Sequence, residues 1–145
     1  MARSRPDLRL DVVRLPARFT AEYARSLDGR HGILALALTE GPEPAGVPFV
    51  VPGGRFNEMY GWDSYFIALG LLADGHVDLA KALVDNQVYE IRHYGKVLNA
   101  NRSYYLTRSQ PPLLSSMLRA TYARLPRGAA SRRWLRDALA AVVLE

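Results

Sequence analysis

The longest stretch of helical periodicity in the chain covers residues 77–94. Apolar residues recur there at spacings of three and four, which places them on one face of an α-helix. Asp78 lies in the first turn and Gly95 follows the last, as is typical of helix ends. The apolar face consists of Val77, Ala80, Val84, Val88 and Ile91. This stretch therefore predicts one long amphipathic helix.

Four other segments also predict helices. Thr20 is a suitable cap for a short helix through Leu27, and residues 62–73 are apolar nearly all round, which predicts a helix buried on most sides and ended by Gly75. Pro111 and Pro112 suit the first turn of a helix that runs to Leu125, and a last helix takes its apolar side from residues 134–143. No strands alternate with these helices as a parallel sheet requires. We therefore expect an all-α fold of about five helices.

The loops between these helices differ in character. Residues 39–48 are rich in proline and glycine, so we expect an exposed connection. Residues 52–65 and 99–110 combine polar and aromatic side chains, and each stretch precedes a helix. Loops of this kind at one end of stacked helix pairs can line a common pocket. A length of 145 residues favours a single domain, with residues 1–18 as an irregular lead-in.

Composition and charge exclude several classes of protein. The chain has no cysteine, no signal-like apolar segment at its start and no apolar stretch of membrane-spanning length, so we expect a soluble, cytoplasmic protein with no membrane partner. The net charge of +5 comes from arginines at the two ends, seven in residues 1–30 and six in residues 119–136. Residues 31–118 carry six basic and eight acidic side chains. Because the aromatic-rich centre is not positive, we expect no nucleic-acid partner.

Two stretches resemble the signatures of one enzyme family. "PGGRFNEMYGWDSY", residues 52–65, places three glycines, an arginine, two carboxylates and four aromatic rings in fourteen positions. It resembles the first signature of the trehalases, the family 37 glycoside hydrolases. "LNANRSYYLTRSQPP", residues 98–112, resembles the next marked stretch of that family. The resemblance is dense over residues 47–118 and points to the neutral, cytosolic trehalases.

The resemblance implies a fold, an activity and a set of sugar contacts. The fold would be part of an (α/α)6 toroid, and the activity would be hydrolysis of α,α-trehalose to two glucose molecules with inversion, with no cofactor and no metal. Arginine and carboxylate or amide groups suit sugar hydroxyls, and flat rings suit the C–H faces of sugars. Positions that match the family's sugar-contacting residues are Arg55, Trp62, Asp63, Asn99, Arg108, Ser109 and Gln110.

Structural roles compete with each of these assignments. Trp62 could belong to the core, Asp63 could serve only as a helix-start carboxylate, and Asn99 could be a turn former. Glu58 and Asp63 could be taken for the two carboxylates of a glycosidase. In the trehalases, however, the general acid and base lie on later segments, so we expect no catalytic residue in this chain and a structural role for Glu58 beside an arginine.

We therefore expect residues 1–145 to form the early part of a single incomplete trehalase-like domain, inactive alone. A helix that reaches Glu145 without a cap or closing glycine also suggests a fragment. Two alternatives stay open at this point. One is a fragment of another (α/α)6 glucosidase, and the other is a non-catalytic module that binds sugar or interacts through its basic surface.

Overall fold

A computed structural model describes residues 11–27 and 29–144 of the chain. Its helices are α1 (Ala21–Ser26), α2 (Asp63–Ala73), α3 (Val77–Tyr94), α4 (Leu114–Tyr122) and α5 (Ala129–Val142), and a 3₁₀ turn spans Ser103–Tyr105. Extended pairing within the described residues is limited to isolated bridges. The all-α fold class is confirmed, and helices form in all five predicted places.

Helix α3 lies at the centre of the helix packing. It contacts α2, α4 and α5, and α4 in turn packs on α2 and α5. Its apolar face supplies fully buried Leu83 and Val84, which join Met117 and Leu118 of α4 in the main core. Gly95 ends the helix in the left-handed conformation at φ 82° and donates its N–H to the Ile91 carbonyl at 2.9 Å. The predicted helix and its predicted end are both confirmed.

Helix α2 is buried on one face only, so the prediction that it is buried on most sides is wrong. Its buried residues are Ser64, Ala68 and Leu72, which face α3 and α4. Phe66 and Leu69 are 55% and 41% exposed. The main contacts of α2 with other helices are made to α3 and α4. A helix that is apolar all round gives no sequence signal to show which faces are covered.

The ends of α4 differ slightly from the prediction. Leu113 is the capping residue, so Pro111 and Pro112 precede the helix instead of forming its first turn. Proline in this position still suits a helix start, because the ring fixes φ and needs no N–H partner. The helix ends at Tyr122, and a tight turn in which Leu125 donates to the Tyr122 carbonyl at 3.2 Å continues to the predicted end.

A smaller core lies beneath the loop that follows α3. It contains Leu34, Tyr94, Leu98 and Leu106, and residues of the N-terminal segment pack against it. Thr20 accepts a hydrogen bond from the Tyr23 N–H at 3.1 Å, which confirms it as the cap of α1. Residues 39–46 are exposed, as predicted for the connection over 39–48. This smaller core anchors one of the two polar–aromatic loops.

Candidate functional site

The first polar–aromatic segment begins with a tight glycine turn. Gly53 and Gly54 have φ values of 95° and 60°, a region that side-chain-bearing residues rarely adopt. Gly53 and Phe56 exchange backbone hydrogen bonds of 3.3 and 3.1 Å across the turn. The turn presents Arg55 to solvent, with its guanidinium carbon 5.0 Å from the centre of the Phe56 ring. The two adjacent glycines thus bend the backbone sharply at the start of this segment.

The two polar–aromatic segments lie side by side as a short antiparallel pair. Tyr60 and Ala100 form the bridge at its centre. The Asn101 N–H donates to the Met59 carbonyl at 3.3 Å, and the Asn101 side-chain oxygen accepts from the Met59 N–H at 2.9 Å. The Gly61 N–H donates to the Asn99 carbonyl at 3.2 Å. This pairing, called the crossing below, places residues 59–61 next to residues 99–101, although the two groups are distant in sequence.

Gly61 allows the two segments to approach this closely. A Cβ atom at this position would lie 2.8 Å from the Leu98 carbonyl oxygen and 3.1 Å from Oε1 of Gln110. It would also lie 3.2 Å from Cγ1 of Val97. Because the first of these neighbours is backbone, a larger residue would separate the segments. Glycine is therefore required here for packing, since its φ is not positive.

Gln110 fastens the second segment to the start of α2. Its Oε1 accepts the Trp62 N–H at 2.7 Å, and Trp62 is the capping residue of that helix. The first N–H groups of a helix have no partner within the helix, so a side-chain acceptor there stabilises the helix start. The sequence assigns Gln110 to sugar contact. In the structure, the side-chain oxygen of Gln110 accepts a hydrogen bond from the backbone N–H of Trp62, another candidate residue.

An ion pair beside the crossing involves Arg102, which the sequence analysis missed. Nε of Arg102 lies 3.1 Å from Oε1 of Glu58, and the Tyr60 hydroxyl donates to Oε2 of Glu58 at 3.4 Å. Glu58 is therefore the partner of an arginine, as predicted. Burial and the Glu58 charge raise the pKa of Tyr60, and a hydrogen bond to Tyr104 raises the pKa of Arg102. Tyr60 therefore stays neutral and Arg102 stays charged near neutral pH.

The candidate sugar-binding residues differ in exposure. Trp62 is 41% exposed and makes an edge contact with Phe66, at 5.9 Å between ring centres, so its ring is not part of the core. Asp63 is half-buried and is the first residue of α2, where the helix dipole favours a negative charge. Asn99 is also half-buried, and its N–H donates to the Arg108 carbonyl at 3.0 Å. Arg55, Arg108 and Ser109 are exposed.

The structure brings the two segments together, and one open depression contains a candidate residue. Arg108 lines an open depression with Ala21, Ala24 and Arg25 of α1 and its flank. None of the other six candidate residues lines that depression. The convergence of Arg55, Asp63, Asn99 and Arg108 on one ligand stays a prediction.

Metal-binding clusters and membrane-spanning helices are both absent from the described residues. Across residues 11–27 and 29–144, no three histidine, aspartate or glutamate side chains are grouped so that they could bind a metal ion. In the same ranges no helix is long and apolar enough to cross a bilayer. The polar groups around the paired segments include the Asn101 amide, the Glu58 carboxylate, the Arg102 guanidinium and the Tyr60 hydroxyl, all of which can form hydrogen bonds with hydroxyl groups.

Comparison with known proteins gives one consistent result. The family model for trehalase matches residues 1–145. The chain is 54% identical to the cytosolic neutral trehalase of Emericella nidulans and 48% identical to that of Neurospora crassa, in both cases over the whole chain and 20% of the relative. It therefore spans about a fifth of the length of these curated relatives.

A solved structure shows the same fold. The chain superposes on the neutral trehalase Nth1 from Saccharomyces cerevisiae with a TM-score of 0.93 at 46% sequence identity. The match covers 99% of this chain and 28% of the solved one. The five helices are thus arranged as in part of a trehalase toroid.

Proposed function

Because the chain belongs to the trehalase family, we propose that it forms part of the sugar-binding wall of an α,α-trehalase. That enzyme would hydrolyse trehalose to two glucose molecules with inversion. The observation that supports this proposal is the antiparallel crossing of residues 59–61 with 99–101. It places the two motifs of the resemblance next to each other, with charged groups and a partly exposed indole on the outer side.

Each candidate residue has a role that suits its position. Arg55 and Arg108 are exposed donors that hold sugar hydroxyls, and Trp62 stacks on a C–H face of a glucose ring. Asp63 and Asn99 are half-buried, so they orient hydroxyls at the base of the site. Ser109 contributes a hydroxyl contact, and Gln110 contacts the sugar through its amide nitrogen while its oxygen holds Trp62.

The catalytic carboxylates come from other segments of the enzyme. An inverting glycosidase needs one carboxylic acid to protonate the leaving oxygen and one carboxylate to activate water, about 6.5–9.5 Å apart. Glu58 is unsuited to either role, because Arg102 and Tyr60 already engage its two oxygens. We assign it to the support of the Tyr60 ring beside the sugar. Residues 1–145 are accordingly one incomplete domain and are inactive alone.

We infer the cell compartment and the substrate from the names of the relatives. Those at 54% and 48% identity are named cytosolic neutral trehalases, so we place this protein in the cytosol. Its ligand is a neutral disaccharide, and neither nucleic acid nor membrane is a partner. No cofactor takes part.

A chimera tests the function. Residues 1–145 replace the matching segment of the Emericella nidulans enzyme, and glucose release from trehalose is measured beside the 145-residue chain alone. We expect turnover by the chimera and none by the isolated chain, because a positioned general acid or base contributes about 10²–10⁴-fold each. Maltose serves as the substrate control, and its preferential hydrolysis would favour a different glucosidase.

Two variants of the chimera test the arginines. Arg55→Ala and Arg108→Ala each remove a charged hydrogen bond worth about 1.5–3 kcal/mol, so kcat/KM should fall about tenfold to a hundredfold while the thermal midpoint stays unchanged. The exposed Arg133→Ala is the matched control and should have no effect. Full activity in both arginine variants would show that these side chains are only solvated. A folded but inactive chimera would overturn the proposed function.

A further inference from the structure

Helix α3 carries two buried polar side chains that reach the two segments of the candidate site. These are Gln87, 1% exposed, and Glu90, 0% exposed. We propose that they are positioning residues, which set the place of both sugar-binding segments without touching the sugar. This inference rests on the proposed function for its kinetic consequence, but its structural part can be tested separately.

Gln87 holds the first segment. Its Nε2 donates to the Gly61 carbonyl at 2.7 Å, in a part of the molecule closed to water. A buried polar group without a hydrogen-bond partner lowers the stability of the fold. The Gln87 amide and the Gly61 carbonyl are therefore held in place by each other. Gly61 immediately precedes Trp62 and Asp63, the ring and the carboxylate assigned to the sugar. A shift of the Gly61 carbonyl therefore moves both of them.

Glu90 holds the second segment. Its Oε2 accepts the Leu98 N–H at 3.1 Å. Leu98 immediately precedes Asn99, whose backbone pairs with both Gly61 and Arg108. A carboxylate is an expensive group to bury, and hydrogen bonding to backbone N–H groups is one way in which proteins compensate for that cost. The geometry thus gives Glu90 the same task on the second segment that Gln87 has on the first.

Gln87 and Glu90 hold backbone groups that lie next to each other at the crossing. Gln87 and Glu90 are three residues apart, so they lie on one side of α3. The groups that they hold are adjacent, because Gly61 has no room for a Cβ atom beside the Leu98 carbonyl. One rigid helix therefore fixes the spacing between residues 61–63 and residues 98–99. Positioning of this kind matters for catalysis, since small misplacements of substrate contacts lower rates strongly.

Asn86 offers a matched control on the same helix. It is fully buried and makes three hydrogen bonds: it accepts from the Ala37 N–H at 3.0 Å and donates to the carbonyls of Val47 and Pro48 at 3.3 and 3.1 Å. These partners belong to the connection around residues 37–48 and lie outside the crossing. Loss of Asn86 should cost stability without displacing Trp62, Asp63 or Asn99.

The kinetic test uses the chimera described above. Gln87→Met keeps the length of the side chain but removes the Nε2 donor, and Glu90→Leu removes the Oε2 acceptor. Both substitutions should lower kcat/KM about tenfold to a hundredfold. Glu90→Gln keeps an oxygen that accepts the Leu98 N–H and should retain activity within about threefold, as a rescue. Asn86→Leu should lower the thermal midpoint at least as much as Gln87→Met while kcat/KM changes less than about twofold. If Asn86→Leu does not fold, Ala138→Gly replaces it, because this buried alanine lies on α5 and glycine in a helix interior lowers stability.

Hydrogen–deuterium exchange on the same proteins tests the structural part. Gln87→Met should speed exchange in peptides covering residues 59–62 and Glu90→Leu in those covering 97–101, with peptides of α5 unchanged. If the unsubstituted chimera is folded but inactive, the proposed function fails. The hydrogen–deuterium exchange rates then test by themselves whether Gln87 and Glu90 position the two segments. Activity losses that follow the thermal midpoint in all variants, Asn86→Leu included, would overturn the inference. Unchanged exchange in both peptides would do the same.

Discussion

At the scale of single residues, the candidate site depends on close backbone approach. Gly61 pairs with Asn99, accepts from Gln87 and lies against the Leu98 carbonyl. The neighbours that come closer than about 3.4 Å to its missing Cβ are Val97, Leu98 and Gln110, which lie in the second segment or directly before it. Trp62 and Asp63, which are assigned to the sugar, follow Gly61 in sequence, and Asn99 follows Leu98. A change at Gly61 should therefore affect both segments together.

Gly61→Ala should lower the free energy of unfolding by about 1–3 kcal/mol, because the added methyl group forces the Leu98 carbonyl away. Gly70→Ala is the matched control. Gly70 lies within α2 with nothing within 4 Å of an added Cβ, so alanine there should stabilise the protein by about 0.5–1 kcal/mol. Urea unfolding of the chimera measures both. Equal effects at the two glycines would contradict the close-packing role of Gly61.

The sequence predicts some residue-level features and not others, for a physical reason. The turn at Gly53 and Gly54 could be predicted, since the two glycines permit their own positive φ. The requirement at Gly61 could not, because its neighbours come from residues 97, 98 and 110. Arg102 was missed for the same reason: its partner Glu58 becomes a neighbour only when the segments pair. Long-range contacts of this kind leave no local pattern.

At the scale of elements, a polar contact joins α3 to α5. Asp85 of α3 accepts the Trp134 indole N–H at 2.6 Å and a bond from Lys81 at 2.6 Å. Lys81 is one turn earlier on the same helix, and its Nζ lies 5.3 Å from the centre of the Trp134 ring. The two bonds differ in kind, because only the bond to Trp134 connects separate helices.

Asp85→Ala should lower the free energy of unfolding by about 1–3 kcal/mol, since it leaves a partly buried indole N–H without its acceptor. Lys81→Ala removes a half-exposed pair on one helix together with a cation–π contact and should cost less, about 0.5–1 kcal/mol. Thermal unfolding of both variants makes the comparison. A larger loss for Lys81→Ala would show that the contacts of Lys81, and not the bond between Asp85 and Trp134, are the important ones.

Helix α2 shows how much of an element the sequence can specify. Its location and its end near Gly75 could be predicted from composition and the closing glycine. Its orientation could not, because residues 62–73 are apolar on every side and only the packing of α3 and α4 selects Ala68 and Leu72 as the buried face. In α3 the periodic pattern did identify Ala80, Val84, Val88 and Ile91 as buried. It could not identify the buried polar residues Asn86, Gln87 and Glu90, because their partners lie outside the helix.

At the scale of the whole molecule, the arginine-rich residues 119–136 lie on elements other than the two paired segments. The six arginines of residues 119–136 are all exposed, on α4, α5 and the turn between them. Arg102, by contrast, is paired with Glu58 beside the crossing. A phosphate-tracking surface would place its cations beside exposed rings that stack on bases. The distribution therefore favours solvated helix faces.

The isolated chain and the chimera should both bind duplex and single-stranded nucleic acid only weakly, with dissociation constants above the micromolar range at about 0.15 M salt. Fluorescence anisotropy with labelled oligonucleotides measures this, and a salt titration identifies any purely electrostatic component. Submicromolar affinity at that salt concentration would support the basic-module alternative.

The proposed function requires that the two segments bind the same sugar. A crystal structure of the chimera with a non-hydrolysable trehalose analogue tests it directly. We expect polar atoms of Arg55, Asp63, Asn99 and Arg108 within about 2.7–3.2 Å of hydroxyls on the one bound analogue, with the Trp62 ring against a sugar face. Finding Arg55 and Arg108 on opposite faces of the molecule, or the analogue bound away from the crossing, would contradict the claim.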